Sequence, residues 1–354
     1  MIASSRTLAA AATIALLAGC SGGSPNATGS TVPAQSITRQ NALHAQSLST
    51  DELRAKTLLV KPGVRALVAH GRPVVNTKVD FVGALFLSDS GTNEVYRMTK
   101  AGKMTAVGSG WSEPQGIGVD RKGDIYVADT ANSRIVVLNK AGKQVTVLND
   151  PGQYPASVAI APDGTVGVTN IISTSGGAGS VSFYSAGSAN PECTISGLLA
   201  EDYFIAVDSK DNFYFDGFAS SNGDIIVATA QPCGAAVNTG IPTTDISFPP
   251  ALNVIPNGQG KKAAEVLWVA EEGGGGGDDL YGYSLPGYTS AGTINLAGGS
   301  GPWSVTKNLK YAAAISSAGS GVSIYSWPAG GEPIEPGSGF SEAIGIGFSP
   351  TGVI

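Results

Sequence analysis

The sequence predicts an all-β fold, a β-propeller of six four-stranded blades. Three observations predict it. Short apolar runs alternate with Gly, Asp and Asn turns along most of the chain. Groups of four such runs recur at a spacing of about 40 residues. The two ends carry complementary fragments of one repeat, and joining them closes a ring without exposed sheet edges.

The elements follow in order. Residues 114–138 hold three runs, Gly116–Val119, Asp124–Ala128 and Arg134–Leu138, separated by Asp120-Arg121-Lys122-Gly123 and Asp129-Thr130-Ala131-Asn132. Val, Ile and Tyr between such turns read as consecutive antiparallel strands. Gln144–Leu148 makes the fourth strand. The first two strands recur at Pro155–Asn170 and again at Phe204–Asp216. Later second strands read at Val266–Glu272 and Leu309–Ser317. Third strands read at Ser180–Tyr184, Asp224–Ala228, Asp279–Tyr283 and Gly321–Tyr325. Residues 81–108 supply a second, third and fourth strand but no first, whereas 343–349 supply a first strand with no blade after it. IGFSPTG at 346–352 matches VAIAPDG at 158–164, so 343–349 is expected to complete the N-terminal blade. The blades are then about 81–110 with the C-terminus, 114–149, 155–199, 203–240, 246–297 and 302–337, within a propeller domain spanning 76–354.

The line at 114–139 resembles the NHL repeat: Pro-x-Gly-Ile-x-Val-Asp, then Gly-x-Ile-Tyr-Val-Ala-Asp, then Asn-x-Arg-Ile. NHL-type blades occur in several enzymes, so the resemblance implies a fold before it implies an activity.

Residues 1–20 read as a targeting segment. Arg6 gives a positive start, Leu8–Leu17 an apolar stretch, and Leu17-Ala18-Gly19-Cys20 resembles the bacterial lipobox, which implies lipidation at Cys20. The apolar stretch is too short to span a bilayer well. Residues 21–75 read as a tether, rich in Ser, Gly, Thr, Asn and Gln at first. Ser49-Thr50-Asp51-Glu52 is a capping box that predicts one short helix within it. The expected location is the cell envelope, at the outer membrane or cell surface, facing periplasm or exterior and held by the lipid alone. Charged residues at 14% and 49 glycines suit an exported all-β chain. The net charge of −6 argues against nucleic acid as a partner.

Cys193 and Cys233 each follow a third strand. An oxidising compartment favours a bridge between them. Equivalent points on neighbouring outer strands should lie beyond the roughly 7 Å Cα limit, unless irregular loops close the gap. The two arguments leave the pairing open.

The chemistry is defined mostly by absences. Both histidines, His44 and His70, precede the ring. Streptogramin lyase, quinoprotein dehydrogenases and peptidylglycine lyase resemble this fold but rely on ring histidines, which disfavours those activities. Three ring arginines, Arg97, Arg121 and Arg134, are too few for a sialidase-type cluster. The ring has no Gly-x-Ser-x-Gly, no His-Glu-x-x-His and no phosphate loop. The gluconolactonase and regucalcin family is the best enzyme comparison. The resemblance implies a divalent cation held near the starts of the first strands, where this chain has Gln115, Ala156, Tyr203, Pro250, Trp303 and Ile344. Asp202, Asp245 and Glu342 are the metal candidates of that alternative, a cation-dependent lactonase-like hydrolase. The loop with Glu271, Glu272, Asp278 and Asp279 around a glycine run fits a calcium-repeat pattern, so Ca²⁺ is the one cofactor considered; a solvated loop is the plainer reading. Asp89, Asp129 and Asp216 end second strands and are expected to cap the turns that follow.

Sorting loops by strand direction predicts an acidic face, with Glu94, Glu113, Asp202, Glu271 and Glu342, and a basic face, with Lys103, Lys122, Lys140, Lys210 and Lys310. Trp111, Gln115, Tyr154, Tyr203 and Trp303 fall near the mouth of the acidic face and are the binding candidates. The expected function is a binding or scaffold module for a protein, peptide or glycan, with no catalytic residue assigned.

Overall fold

The structure, a computed structural model, describes residues 73–349 except 76–78, 80, 82, 100–101, 245, 247, 259–262, 272–277, 300 and 317–318. Cys20, the tether up to residue 72 with its predicted helix, Asp245 and Glu272 lie outside the described residues.

Six antiparallel sheets, each with its strands stacked outward from a shared axis, make the six blades. Blade 2 is Pro114–Val119, Ile125–Asp129, Arg134–Leu138 and Gln144–Asn149. Blade 3 is Gln153–Ile160, Val166–Ser173, Ser180–Tyr184 and Cys193–Ser196. Blade 4 is Leu199–Val207, Phe213–Ala219, Ile225–Ala230 and the short Val237–Asn238. Blade 5 is Leu252–Pro256, Glu265–Ala270, Asp279–Ser284 and Thr289–Asn295. Blade 6 begins with Trp303–Val305, Tyr311–Ile315, Gly321–Ser326 and Gly330–Ser338.

The ring closes twice. Ala343–Ser349 pairs with Ala84–Asp89 and becomes the innermost strand of blade 1, inside Glu94–Thr99 and Met104–Ala106, as the split repeat predicts. Val74–Val75 also pairs with Ser338 and Gly337, adding a fifth, outermost strand to blade 6. The sequence pattern places these two residues in the tether, because a two-residue strand carries no periodicity. Val74–Val75 thus cover one edge of blade 6, and Ala343–Ser349 fill the inside of blade 1.

Blades cohere through the layers between them. Alternate side chains of a strand face opposite neighbours. Ala84, Phe86 and Val95 of blade 1 meet Ile125, Val127, Val136 and Leu138 of blade 2. The other face of blade 2, with Ala128, Ile135 and Val137, meets Val158, Val166, Val168 and Tyr184 of blade 3. Each fully buried aliphatic side chain here contributes about 1.5–3 kcal/mol. The first hairpins close on a repeated device. Asp120 Oδ1 accepts the N–H groups of Lys122 and Asp124, both at 2.8 Å. Asp208 Oδ1 does the same for Lys210 and Asn212, both at 2.9 Å. Short acceptor side chains at this point mimic a backbone turn.

Cys193 and Cys233 are bridged, with Cα atoms 5.8 Å apart. The geometric objection to the bridge assumed equivalent positions. Cys193 opens the fourth strand of blade 3, whereas Cys233 lies in a turn of blade 4 at φ 62°, between Ile225–Ala230 and Val237–Asn238. The left-handed turn brings the second cysteine back to its neighbour.

Candidate functional site

All innermost strands run the same way, so the ring has an upper end where they begin and a lower end where they turn. The first-hairpin turns fix their relative heights. Backbone bonds from Asp120 to Asp124, Ala161 to Thr165, Asp208 to Asn212, Asn257 to Ala264 and Thr306 to Tyr311 mark the same point in blades 2 to 6. Ser349, opposite Ala84, marks it in blade 1. Four residues above that point stand Gly345, Gly116, Ser157, Phe204, Asn253 and Pro302 in blades 1 to 6. All six line a central cavity of about 120 Å³. No carboxylate, histidine or cysteine stands at this level. Arg121 and Asp208 line the lower mouth. Asp208 is committed to its own turn and accepts Tyr214 Oη at 3.1 Å.

The candidate residues do not assemble as one site. Gln115 is buried, its Nε2 has no hydrogen-bond partner, and its carbonyl accepts Ser88 Oγ at 2.5 Å. Trp303 lies three residues before its turn, the height of Ile117 rather than of Gln115. It is buried and stacked on Trp327 at 5.4 Å, and Trp268 meets Trp327 edge-on at 5.5 Å. It is a wedge between blades 5 and 6. Tyr203 is buried too, edge-on to Phe248 at 4.9 Å and to Phe218 at 6.0 Å. Trp111 packs half-buried against the layer between blades 1 and 2, its Nε1 donating to the Val107 carbonyl at 3.0 Å. Tyr154 stays half-exposed where the chain enters blade 3. The expected ring of mouth aromatics is therefore mainly packing.

The carboxylates are dispersed as well. Asp202 is buried against Gly179 of blade 3, and burial pushes its carboxyl well above the usual range. Glu342 sits beside Ser90, Asp89 and Glu113 at the junction of blades 1 and 2. Burial raises it to about 7, with repulsion from Asp89 and Glu113 acting against a hydrogen bond from Ser90. Among the described residues no three His, Cys, Asp or Glu groups come together as metal ligands. On the glycine-rich loop, Glu271 accepts Tyr281 Oη at 3.2 Å, Asp278 accepts the Gly298 N–H at 2.8 Å, and Asp279 accepts Asn295 Nδ2 at 2.9 Å.

The aspartates that end second strands hold the entries to the first strands. Asp89 accepts the N–H groups of Ser341 and Glu342 at 2.9 Å each and that of Thr92 at 3.2 Å. Asp129 accepts the Ser112 N–H at 2.7 Å and pairs with Arg134 Nε at 2.7 Å. Only the Thr92 bond is the turn cap expected from sequence. Register separates Asp216 from the other two. Asp89 and Asp129 stand opposite Ala343 and Pro114, at the very start of the first strand. Asp216 stands one step lower and accepts the Phe204 N–H at 3.0 Å.

The charge pattern survives in altered form. At the upper end Glu94, Glu113, Glu201, Asp224, Glu271, Asp278 and Glu342 are half-buried, and Arg134 is the one basic side chain there among the described residues. The lower end is mixed rather than basic. Lys103, Arg121, Lys122, Lys140, Lys143, Lys210, Lys307 and Lys310 share it with Asp120, Asp124, Asp163, Asp211 and Glu265. Asp120, Asp163 and Glu265 belong there because turn N–H groups donate to them. A one-signed end facing a mixed one gives the ring an electrostatic direction.

The repeat model described as "NHL repeat" matches residues 112–138. No curated protein matches the sequence. Among solved structures the chain is similar to a protein of unknown function from Bacteroides caccae, with 12% identity, 75% of this chain and 98% of that chain covered, and a TM-score of 0.51. It is similar to a chain of a nidogen/laminin complex at 12% identity, with the same 75% and 98% coverage and a TM-score of 0.55. A streptogramin B lyase aligns at 14% identity over 80% of this chain and 89% of that chain, with a TM-score of 0.47, too distant to argue from. At these identities the likeness is one of fold. The chain is an all-β, six-bladed propeller with an NHL repeat in its second blade.

Proposed function

We propose that the protein is a lipid-anchored binding module of the cell envelope, and that a protein, peptide or glycan partner contacts its upper end. The observation that carries this reading is the predominantly acidic upper end, with the seven half-buried acids named above against a single arginine among the described residues. Complementary charge of this kind steers encounter and rejects wrong partners. The Cys193–Cys233 bridge supports export, because such bridges persist in oxidising compartments. A propeller of similar fold was solved in a nidogen/laminin complex, which shows that the architecture can work within a protein assembly.

One experiment in cells tests both halves. The full chain, its Cys20→Ser form and its Glu94→Lys/Glu271→Lys form are followed by fractionation and crosslinking at the envelope. The Cys20→Ser chain should leave the membrane fraction. The charge-reversed chain should stay there but lose crosslinked partner about tenfold, with weaker salt dependence. Equal crosslinking by wild type and charge-reversed chains would refute the upper end as the contact surface. Membrane retention without Cys20 would refute the anchor.

A further inference from the structure

The linker between blades 2 and 3 carries a buried carboxylate that the upper-end reading does not use. Asp150 is 1% exposed. Its Oδ1 accepts Ser182 Oγ at 2.9 Å, on the third strand of blade 3. Its Oδ2 has no hydrogen-bond partner, and neither has Oδ1 of the fully buried Asn170. Both belong to one polar network. Asn170 Nδ2 donates to Ser182 Oγ at 3.0 Å and to Ser180 Oγ at 3.2 Å, and Ser180 Oγ donates to Gln153 Oε1 at 3.3 Å. Ser182 and Thr194 share a further hydrogen bond at 3.3 Å. The groups acting on Asp150 are Ser182, Tyr184 and Asn170; Tyr184 is the one titratable member, and none is a cation.

The same residue is part of a joint. The Asp150 N–H donates to the Ser133 carbonyl of blade 2 at 3.0 Å, and the Gln153 N–H donates to the Asp150 carbonyl at 3.2 Å. Ser133 Oγ donates to the Gln153 carbonyl at 2.7 Å. Tyr184 Oη donates to the Asn149 carbonyl at 2.9 Å. Residues 149–153 therefore tie the outer part of blade 2 to the first strand of blade 3 through a point where the side chain of Asp150 enters the blade.

A buried carboxylate without a countercharge is costly, and a protonated one supplies an O–H donor that the network otherwise lacks. Burial pushes Asp150 up to about 6, against the Ser182 hydrogen bond and the nearby polar groups of Tyr184 and Asn170. We propose that Asp150 is a proton-operated pin between blades 2 and 3: neutral, it holds the linker in blade 3; ionised, it loosens this joint while the rest of the ring stays closed. The sign follows from linkage. The folded state holds the proton more tightly than the unfolded chain does, so the stabilisation is present in acid and is lost as pH rises through about 6.

Hydrogen exchange of the full chain tests the pin, read as protection factors so that intrinsic rates cancel. Between about pH 5 and about pH 8, protection of peptides covering 149–153 and 180–184 should fall about tenfold relative to blades 5 and 6. Asp150→Asn, neutral at every pH, should abolish that dependence. Ser182→Ala removes a hydrogen bond that favours the charged form, so it should keep the dependence and move its midpoint upward. The proposal is overturned if Asp150→Asn retains the dependence, if the Ser182→Ala midpoint does not move, or if all blades lose protection together. It is also overturned if millimolar CaCl₂ removes the dependence, because the countercharge is then a metal ion.

Discussion

Blades 1 to 3 and blades 4 to 6 meet at the axis with opposite materials. At one height the first half presents Gly345, Gly116 and Ser157, and the second half presents Phe204, Asn253 and Pro302. In the first half the inner strands touch. A methyl at Gly116 would lie 2.5 Å from the Ala156 carbonyl oxygen and 2.7 Å from Ser157 Cα, and one at Gly345 would collide with the Gln115 carbonyl. In the second half aromatic wedges pack between the blades, with Tyr203 and Phe218 of blade 4 against Phe248, and Trp268 of blade 5 and Trp303 of blade 6 on Trp327. A ring can thus be closed by contact between backbones or by side-chain volume. The two styles meet at two seams, blades 3 to 4 and blades 6 to 1, and the chain places a disulfide across the first.

The largest effect should come from cutting that seam. The bridge spans 40 residues, and restricting a loop of that size in the unfolded chain contributes about 4 kcal/mol. A Cys193→Ser/Cys233→Ser chain should lose about that amount in urea unfolding, with its earliest exchange in blades 3 and 4. A loss below about 1 kcal/mol would mean the seam is held by packing alone, and the contrast between the halves would lose its boundary.

Gly116→Ala should cost about 2–3 kcal/mol, because the obstructing atoms are backbone and cannot rotate away. Phe204→Ala, at the same height, should cost about 2 kcal/mol for the opposite reason, lost volume at a half-buried side chain. Thermal melts of the two variants decide the matter. If the extra methyl in blade 2 is neutral, the inner strands there do not touch.

Much of this was legible before the structure. Blade 2 was readable because its runs are short, its turns are strongly marked and its repeat is nearly complete. The closing strand was readable because IGFSPTG copies the first hairpin of blade 3. The site was less so. Pro302 resembles Pro114, which puts Trp303 at the height of Gln115 in the sequence, but the turn bond from Thr306 to Tyr311 places it two residues lower, in the core. Asp216 reads like Asp129 as the end of a second strand, but it stands inside Phe213–Ala219, and only the pairing registers show the offset of one step. The cysteines looked equivalent because their spacing equals a repeat, yet the turn of blade 4 breaks the equivalence. Asp150 is invisible in the sequence because a linker aspartate carries no pattern, and its burial depends on Ser182 and Tyr184, more than 30 residues away.

The smallest expected effect concerns a hydroxyl that clamps one blade to the next. Ser88 stands opposite Gly345 and donates to the Gln115 carbonyl of blade 2 at 2.5 Å; Thr169 stands opposite Ser157 and donates to the Tyr203 carbonyl of blade 4 at 2.7 Å. The two are equivalent, and both belong to the backbone-contact half. At the same height blade 4 has Asp216, which bonds within its own blade instead. Thr169→Val keeps the shape and removes the donor, leaving the Tyr203 carbonyl without its hydroxyl partner. That should cost about 1–2 kcal/mol, below the effect of a methyl at Gly116. Thr169 and Ser88 act at different interfaces and share no partner, so Ser88→Ala combined with Thr169→Val should be additive within about 0.5 kcal/mol. A coupled loss would show that blades 1 to 3 behave as one cooperative body, and the comparison would then be between a rigid half and a half built blade by blade.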